Sequence, residues 1–206
     1  MIPSRLRRLV LAVTFSLSAA TASAAPITID FEGLSDLEEL SSQFPGLFFS
    51  NAWVLTAGTT LNEFDFPPHS GSNVISDNGG PITINFAQQV YSLSGYFTYA
   101  MPVTLTAFDS DNNVIGTLIS ALSNNYLSSD TPSANELLAF NSLVGISSIT
   151  LTGDSFGGSF VLDDFTYDNE PQQVPEPGTL GLMILAGGMA LASRKRRPVD
   201  KSIGHD

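Results

Sequence analysis

Val103-Thr104-Leu105-Thr106-Ala107-Phe108 has the clearest β-strand pattern in the sequence. Apolar and hydroxyl-bearing residues alternate along most of it, which is the period of a β-strand with one face buried and the other in water. Similar alternating or β-branched runs recur roughly every ten residues between clusters of turn-forming residues, a spacing typical of a sandwich or a barrel. The sequence therefore predicts an all-β domain.

Outward from this stretch, the pattern predicts ten strands and one short helix. The candidate strands are residues 27–31, 47–54, 73–75, 82–86, 90–99, 103–108, 114–120, 136–140, 146–152 and 159–167. The helix is expected at residues 36–42, because Ser35 and Glu38 have the spacing of a capping box. Asp109-Ser110-Asp111-Asn112-Asn113 begins like a calcium loop, but Val114 and Ser120 replace its glycine and final acid. We therefore expect a hairpin turn there.

The charged residues of the chain are strongly segregated. The sequence has 206 residues, no cysteine and a net charge of -12, and all eight Lys and Arg residues lie near its two ends. Residues 25–193 have no Lys or Arg but contain every acidic residue except Asp200 and Asp206. Such a surface repels phosphate backbones, which argues against nucleic-acid binding, and it suits divalent cations or neutral sugars. Without cysteine the domain has no disulfide and no thiol nucleophile.

Residues 1–24 have the three parts of a secretory signal peptide. Arg5, Arg7 and Arg8 precede the apolar residues 9–20, and Ala22-Ser23-Ala24 has the small-x-small pattern of a cleavage site. We expect cleavage before Ala25 and export of the body, residues 25–168. The alternative is an uncleaved membrane anchor.

The C-terminal part also has three segments, which follow a short polar linker at residues 169–173. The segments are Val174-Pro175-Glu176-Pro177, the 16 uncharged residues 178–193, and the basic cluster Arg194-Lys195-Arg196-Arg197. The uncharged segment would form a helix of about 24 Å, a little short of a full bilayer core. The basic cluster would hold the tail 198–206 in the cytoplasm and leave the body in the periplasm.

This tripartite end resembles the PEP-CTERM sorting signal of exopolysaccharide-producing Gram-negative bacteria. The resemblance implies recognition by an exosortase, processing near Pro175-Glu176-Pro177, transient insertion in the inner membrane and release to the cell surface or the extracellular space. The alternative is a plain single-pass anchor.

Carboxylates at the two ends of the body suggest a metal site. Asp30 and Glu32 belong to the first strand and Asp163 and Asp164 to the last, and these two strands commonly lie close together in jelly rolls. Alternation would direct Asp163 and Asp164 to opposite faces. A buried carboxylate needs a partner, and the body has no Lys or Arg, so a bound calcium ion is the expected counter-charge. His69, between two prolines and a glycine, is expected to be structural, and no catalytic residue is predicted.

Four short motifs of the body are similar to those of many PEP-CTERM proteins and, distantly, to carbohydrate-binding modules. They are residues 29–34, 44–51, 70–74 and 160–165. The resemblance implies a jelly-roll-like antiparallel β-sandwich with a structural calcium at Glu32 and Asp164, to which the backbone from Ser70 to Asn73 contributes. It also implies that exposed aromatic residues bind sugar, for which the candidates are Trp53, Tyr96, Tyr99 and Tyr126. Core packing is the alternative for each of these rings.

Three functions remain open from the sequence. The leading one is a non-catalytic surface or matrix protein that binds exopolysaccharide. The second is a secreted polysaccharide hydrolase, which needs two facing carboxylates. The third is a purely structural or adhesive coat protein.

Overall fold

A computed structural model describes residues 25–171, and these residues form ten β-strands and no helix. The strands are β1 (Ile27–Ile29), β2 (Glu39–Leu40), β3 (Leu47–Ser50), β4 (Ala52–Thr56), β5 (Asn73–Asp77), β6 (Ile82–Tyr99), β7 (Thr104–Phe108), β8 (Val114–Ile119), β9 (Glu136–Thr152) and β10 (Phe160–Asp168). The predicted signal peptide, sorting signal and C-terminal helix lie outside the described residues. Within the described range, no helix could cross a bilayer.

The long strands β6 and β9 each contribute to two antiparallel sheets. The first sheet has the order β2-β4-β5-β10-β6-β9 and uses the C-terminal half of β6 and the N-terminal half of β9. The second sheet has the order β3-β6-β9-β7-β8 and uses the other halves. Register shifts between Asn85 and Ser92 mark the transition. The sequence prediction divided β6 and β9 into two strands each near these points, but the chain continues through both transitions.

One hydrophobic core fills the space between the two sheets. The first sheet contributes Val54, Ile75 and Leu162, and the second contributes Ile84 and Ile149 to the same cluster. Burial of each such side chain stabilises the fold by about 1.5–3 kcal/mol. Among the described residues, the core cluster and the side chains packed against it run from Ile29 to Tyr167.

The alternation of residues 103–108 predicts the packing of β7 correctly. Leu105 and Ala107 are buried, whereas Thr104 and Thr106 lie on the outer face. The Asp109 turn is also confirmed, because its Oδ1 accepts the N–H groups of Asp111 and Asn113 and closes the β7–β8 hairpin.

The predicted helix at residues 36–42 is wrong. Glu38 Oε2 does accept the Ser35 N–H at 3.0 Å, as one half of a capping box would. However, Leu37 has a φ of 59°, which interrupts helical geometry. Glu39–Leu40 instead form β2, which pairs with β4, and Leu40 enters the core. The pairing and burial available in the sandwich therefore outweigh the local capping signal.

The predicted strand 47–54 is two strands that belong to different sheets. Asn51 separates them with a φ of 59°, and its Nδ2 donates to the carbonyl oxygens of Gly79 and Gly80. Asparagine tolerates this left-handed conformation better than most residues. β3 therefore joins the second sheet and β4 joins the first.

Candidate functional site

Three carboxylates meet around one loop beside β10, an inner strand of the first sheet. β1 pairs with β10, with Ile29 opposite Phe165, so the first and last strands are neighbours as the sequence predicts. This pairing brings Glu32 close to Asp163 and Asp164. We call these three residues the acidic cluster, and the segment from His69 to Ser72 the 69–72 loop.

A β-bulge in β10 places Asp163 and Asp164 on the same side. Three residue steps from Asp163 to Thr166 oppose only two steps on β6, and Asp164 has a φ of 47°. Leu162 and Phe165 on either side both enter the core. The prediction that the two aspartates face opposite ways is therefore wrong, because one extra residue resets the alternation.

Every carboxylate oxygen of the acidic cluster accepts a hydrogen bond. Glu32 Oε1 accepts the backbone N–H groups of Ser72 and Asn73, each at 2.7 Å, and Oε2 accepts the Ser72 hydroxyl. Asp163 Oδ2 accepts the Ser70 N–H at 2.8 Å, and its Oδ1 accepts the Asp164 N–H at 2.7 Å.

Asp164 is hydrogen-bonded to two side chains of the 69–72 loop. Its Oδ1 accepts the Ser70 hydroxyl at 2.9 Å, and its Oδ2 lies 2.6 Å from His69 Nδ1. His69 is the only basic residue between positions 25 and 171. Its ring stacks on Tyr96 with centroids 3.4 Å apart. These contacts agree with the structural interpretation of His69.

The environment shifts the pKa values of two cluster members in opposite directions. Burial raises the pKa of Asp163 to about 6, and the nearby Asp164 charge adds to this effect against the Ser70 hydrogen bond. Burial acts in the same direction on Glu32, but the N–H groups of Asn73 and Ser72 outweigh it and lower the pKa of Glu32. Asp163 is only 1% exposed, so no substrate can reach it.

The hydrogen bonds of the acidic cluster bear on the predicted calcium site. Calcium takes six to eight oxygen ligands. An ion between Glu32 and Asp164 would have to replace hydrogen bonds that the 69–72 loop now donates. Across residues 25–171, no three His, Asp or Glu side chains are grouped to hold a metal ion. The calcium prediction assumed a carboxylate without a partner, and backbone N–H groups with His69 supply that partner. Calcium itself stays a prediction.

Trp53 lies in a pocket on the outer face of the first sheet, which we call the Trp53 pocket. The pocket has a volume of about 230 Å³. It is lined by Leu37, Trp53, Leu55, Ser76, Asp77, Asn78 and Gly158. The indole is partly exposed because β4 directs Val54 to the core and Trp53 outward. An aromatic face beside polar groups is a common arrangement for a ligand site.

The other three predicted sugar-binding rings are either buried or stacked on another ring. Tyr99 is 0% exposed, and its hydroxyl donates to Glu136, so it offers no platform. Tyr96 and Tyr99 are an odd number of residues apart on β6, so their rings face opposite ways and Tyr99 faces the core. Tyr96 is covered on one face by His69, and Tyr126 stacks on Phe66.

Asp77 takes part in the Trp53 pocket although the sequence did not single it out, whereas the backbone from Ser70 to Asn73 was expected beside the acidic residues. Ser70 and Asn73 belong to a quoted motif, but nothing in the sequence shows which acid their N–H groups contact. Asp77 is buried, and its Oδ2 has no hydrogen-bond partner. Burial raises its pKa despite the Gly158 hydrogen bond to Oδ1. A larger cavity of about 300 Å³ near Phe86 and Tyr167 has no charged lining residue.

Comparison with known proteins identifies the C-terminal segment. Residues 173–197 match the PEP-CTERM protein-sorting motif, so the sequence interpretation of this segment is confirmed. The motif implies an exported protein that an exosortase recognises and that is sorted through the membrane to the cell surface. None of the curated proteins matches the chain significantly in sequence.

Solved structures resemble the body in fold. A DUF4465 family protein from Bacteroides caccae has 13% identity and a TM-score of 0.51, and the match covers 71% of this chain and 100% of that one. The K2 cleaved adhesin domain of Lys-gingipain has 13% identity and a TM-score of 0.48, with 69% and 99% covered. A mutant of the family 29 carbohydrate-binding module CBM29-2 has 11% identity and a TM-score of 0.40, with 75% and 100% covered. The predicted jelly-roll-like antiparallel sandwich is confirmed.

Proposed function

We propose that this protein is an exosortase-processed surface or matrix protein whose body binds exopolysaccharide without transforming it. The observation that carries the proposal is the Trp53 pocket. The only indole of the chain lies there, partly exposed on a sheet face, beside the polar groups of Ser76 and Asn78. A sugar ring can stack its apolar face on the indole while its hydroxyls reach the polar groups.

The charge of the body supports a neutral ligand. The absence of Lys and Arg from residues 25–171 leaves no group to pair with an anionic polysaccharide, and the acidic residues repel it. The sorting motif supports this proposal, because a protein sorted to the cell surface can meet polysaccharide that the cell exports. Both points agree with matrix binding.

A hydrolase is less well supported. Glycoside hydrolysis needs two carboxylates that reach the scissile bond. Asp163 and Asp164 are adjacent and one has a raised pKa, but Asp163 is buried beneath the 69–72 loop. The Trp53 pocket has a single carboxylate, Asp77, among its lining residues. A purely structural coat protein would leave the pocket without a ligand.

The test is a binding measurement on residues 25–171 with the polysaccharide purified from the producing cell. Trp53→Ala is expected to weaken binding at least tenfold, because aromatic contacts dominate such sites. Trp53→Phe keeps a ring and should keep most of the affinity. Reducing-sugar release would support the hydrolase, and equal binding by all three proteins would refute the proposal.

A structural calcium at Glu32 and Asp164 is a separate proposal. Its support is the convergence of the acidic cluster on one loop. An ion present at 100 times its dissociation constant would stabilise the fold by about 2.7 kcal/mol. The test compares the melting temperature with calcium and with chelator, using Glu32→Gln as a matched variant. An unchanged melting temperature would remove calcium from the site.

A further inference from the structure

The outer face of the second sheet carries a continuous row of hydroxyl groups. The cross-strand partners are Ser50 with Thr83, Thr83 with Thr150, Thr150 with Thr106, and Thr106 with Thr117. We call these five residues the hydroxyl row. One residue comes from each of the five strands, and neighbouring strands are about 4.8 Å apart, so the row is about 19 Å long.

The residues of the hydroxyl row point away from the core. Their neighbours in sequence, including Phe49, Ile84 and Leu105, are buried between the sheets. Ser50 and Thr117 are exposed and the three central threonines are partly exposed. Within the described part of the chain, the buried unbonded side-chain atoms belong only to Asp77 and Ser129. The five hydroxyls are therefore available to solvent or to a ligand.

A second row runs parallel to the first and adds aromatic rings. Phe48 pairs with Asn85, Asn85 with Ser148, Ser148 with Phe108, and Phe108 with Val114. Phe48 is 50% exposed. Residues two apart on a strand are about 6.7 Å from each other, so rings and hydroxyls lie side by side.

The face has no charge, although residues 25–171 contain all but three of the 20 acidic residues of the chain. None of the strand residues at positions 47–50, 82–86, 104–108, 114–119 and 146–152 is charged. An uncharged face on a strongly anionic protein matches a neutral partner. A surface of hydroxyls beside aromatic rings matches a molecule that itself alternates hydroxyl edges with apolar ring faces.

We propose that this face binds an extended chain of neutral polysaccharide that lies across the strands along the hydroxyl row. The sheet twists by about 20–25° per strand, so a single chain that can follow the twist fits better than a flat crystal surface. The face is on the opposite side of the sandwich from the Trp53 pocket. Binding here therefore does not depend on that pocket, and together the two surfaces would let one molecule hold two chains.

The test uses residues 25–171 and a soluble neutral β-glucan, with alginate as the anionic comparison. Thr106→Val with Thr150→Val keeps side-chain shape and strand preference but removes two hydroxyls. We expect about tenfold weaker glucan binding, equivalent to about 1.4 kcal/mol. Thr106→Ser with Thr150→Ser keeps the hydroxyls and should stay within about twofold of the wild type, a difference below roughly 0.5 kcal/mol.

Further controls establish whether the loss of glucan binding arises at this face. Thr28→Val removes an exposed strand hydroxyl on β1 and should leave binding unchanged, and melting temperatures check that each variant folds. Loss of binding in the serine variant with retention in the valine variant would overturn the inference. Glucan binding that depends on Trp53 alone would also overturn the inference. That result would leave the proposed function intact. Altered self-association with unchanged glucan binding would assign the face to a second copy of the chain and also refute it.

Discussion

Asp163 should make the fold less stable as the pH rises from 5 to 7.5. Its pKa is about 6 in the folded protein against an ordinary value of 3.8. Because the folded pKa is the higher one, the folded state binds the proton more tightly. The resulting stabilisation is complete below pH 3.8 and is lost as the pH rises through 6. The difference between a pKa of about 6 and one of 3.8 corresponds to about 3 kcal/mol, of which about 1.4 kcal/mol falls between pH 5 and 7.5.

The assay is urea unfolding of residues 25–171 at stepped pH, followed by the fluorescence of Trp53. Asp163→Asn removes the titrating group and should flatten the profile between pH 5 and 7.5. The variant also loses a hydrogen bond, since an amide cannot accept both N–H groups, but that cost of about 1–3 kcal/mol does not vary with pH. Glu32 acts in the opposite direction only at lower pH, because its pKa is lowered from 4.5.

The control is Asp111→Asn, which removes the same unit of charge from the exposed β7–β8 turn. This variant should keep the wild-type dependence of the free energy of unfolding on pH. If Asp163→Asn keeps the full slope, or if the wild type gains stability across this interval, burial does not raise the pKa of Asp163 and the reasoning is refuted.

Two further substitutions test the packing, each with a matched control and urea unfolding as the measurement. Gly71→Ala places a Cβ 2.3 Å from Glu32 Oε1 at a φ of 53°, whereas Gly58→Ala meets nothing within 4 Å at a φ of 79°. Gly58→Ala should cost about 1–2 kcal/mol from backbone strain, and Gly71→Ala roughly 1.5–3 kcal/mol more, because Glu32 must leave its N–H donors. Equal losses would contradict the close contact. Phe31→Ala removes a fully buried ring that packs edge-on against Phe44 and Phe49, and it should cost about 3–5 kcal/mol. Phe48→Ala, on the exposed face, should change stability by less than about 0.5 kcal/mol, and a similar loss for both would refute the assignment of Phe31 to the core.

Local patterns predicted most of the strands because side-chain direction alternates along any strand. Thr104 and Leu105 must face opposite ways wherever β7 lies in the fold. The same rule, applied to Tyr96 and Tyr99 together, would have left at most one of them on the outer face, although it would not have shown which one. The Asp109 turn was also predictable, since its hydrogen bonds stay within five residues.

Competition between local and long-range contacts accounts for the failures. The capping signal at Ser35 is present, but β2 gains ladder hydrogen bonds and the burial of Leu40 from residues that are distant in sequence. The bulge at Asp164 cannot be located from the sequence, because any residue of a strand could be the additional one. The contact of both Asp163 and Asp164 with the 69–72 loop follows from that bulge.

The sorting signal, the anionic body and the strand-forming character of the chain are all visible in the sequence, because these features depend on composition, order and local period. The set of side chains that share a face depends instead on how the strands pair in the folded protein. The hydroxyl row joins Ser50 to Thr150 through strand register, and the acidic cluster joins Glu32 to Asp164 through the pairing of β1 with β10. Register and bulges arise from hydrogen bonds between segments far apart in the chain, so no local pattern could specify these surfaces.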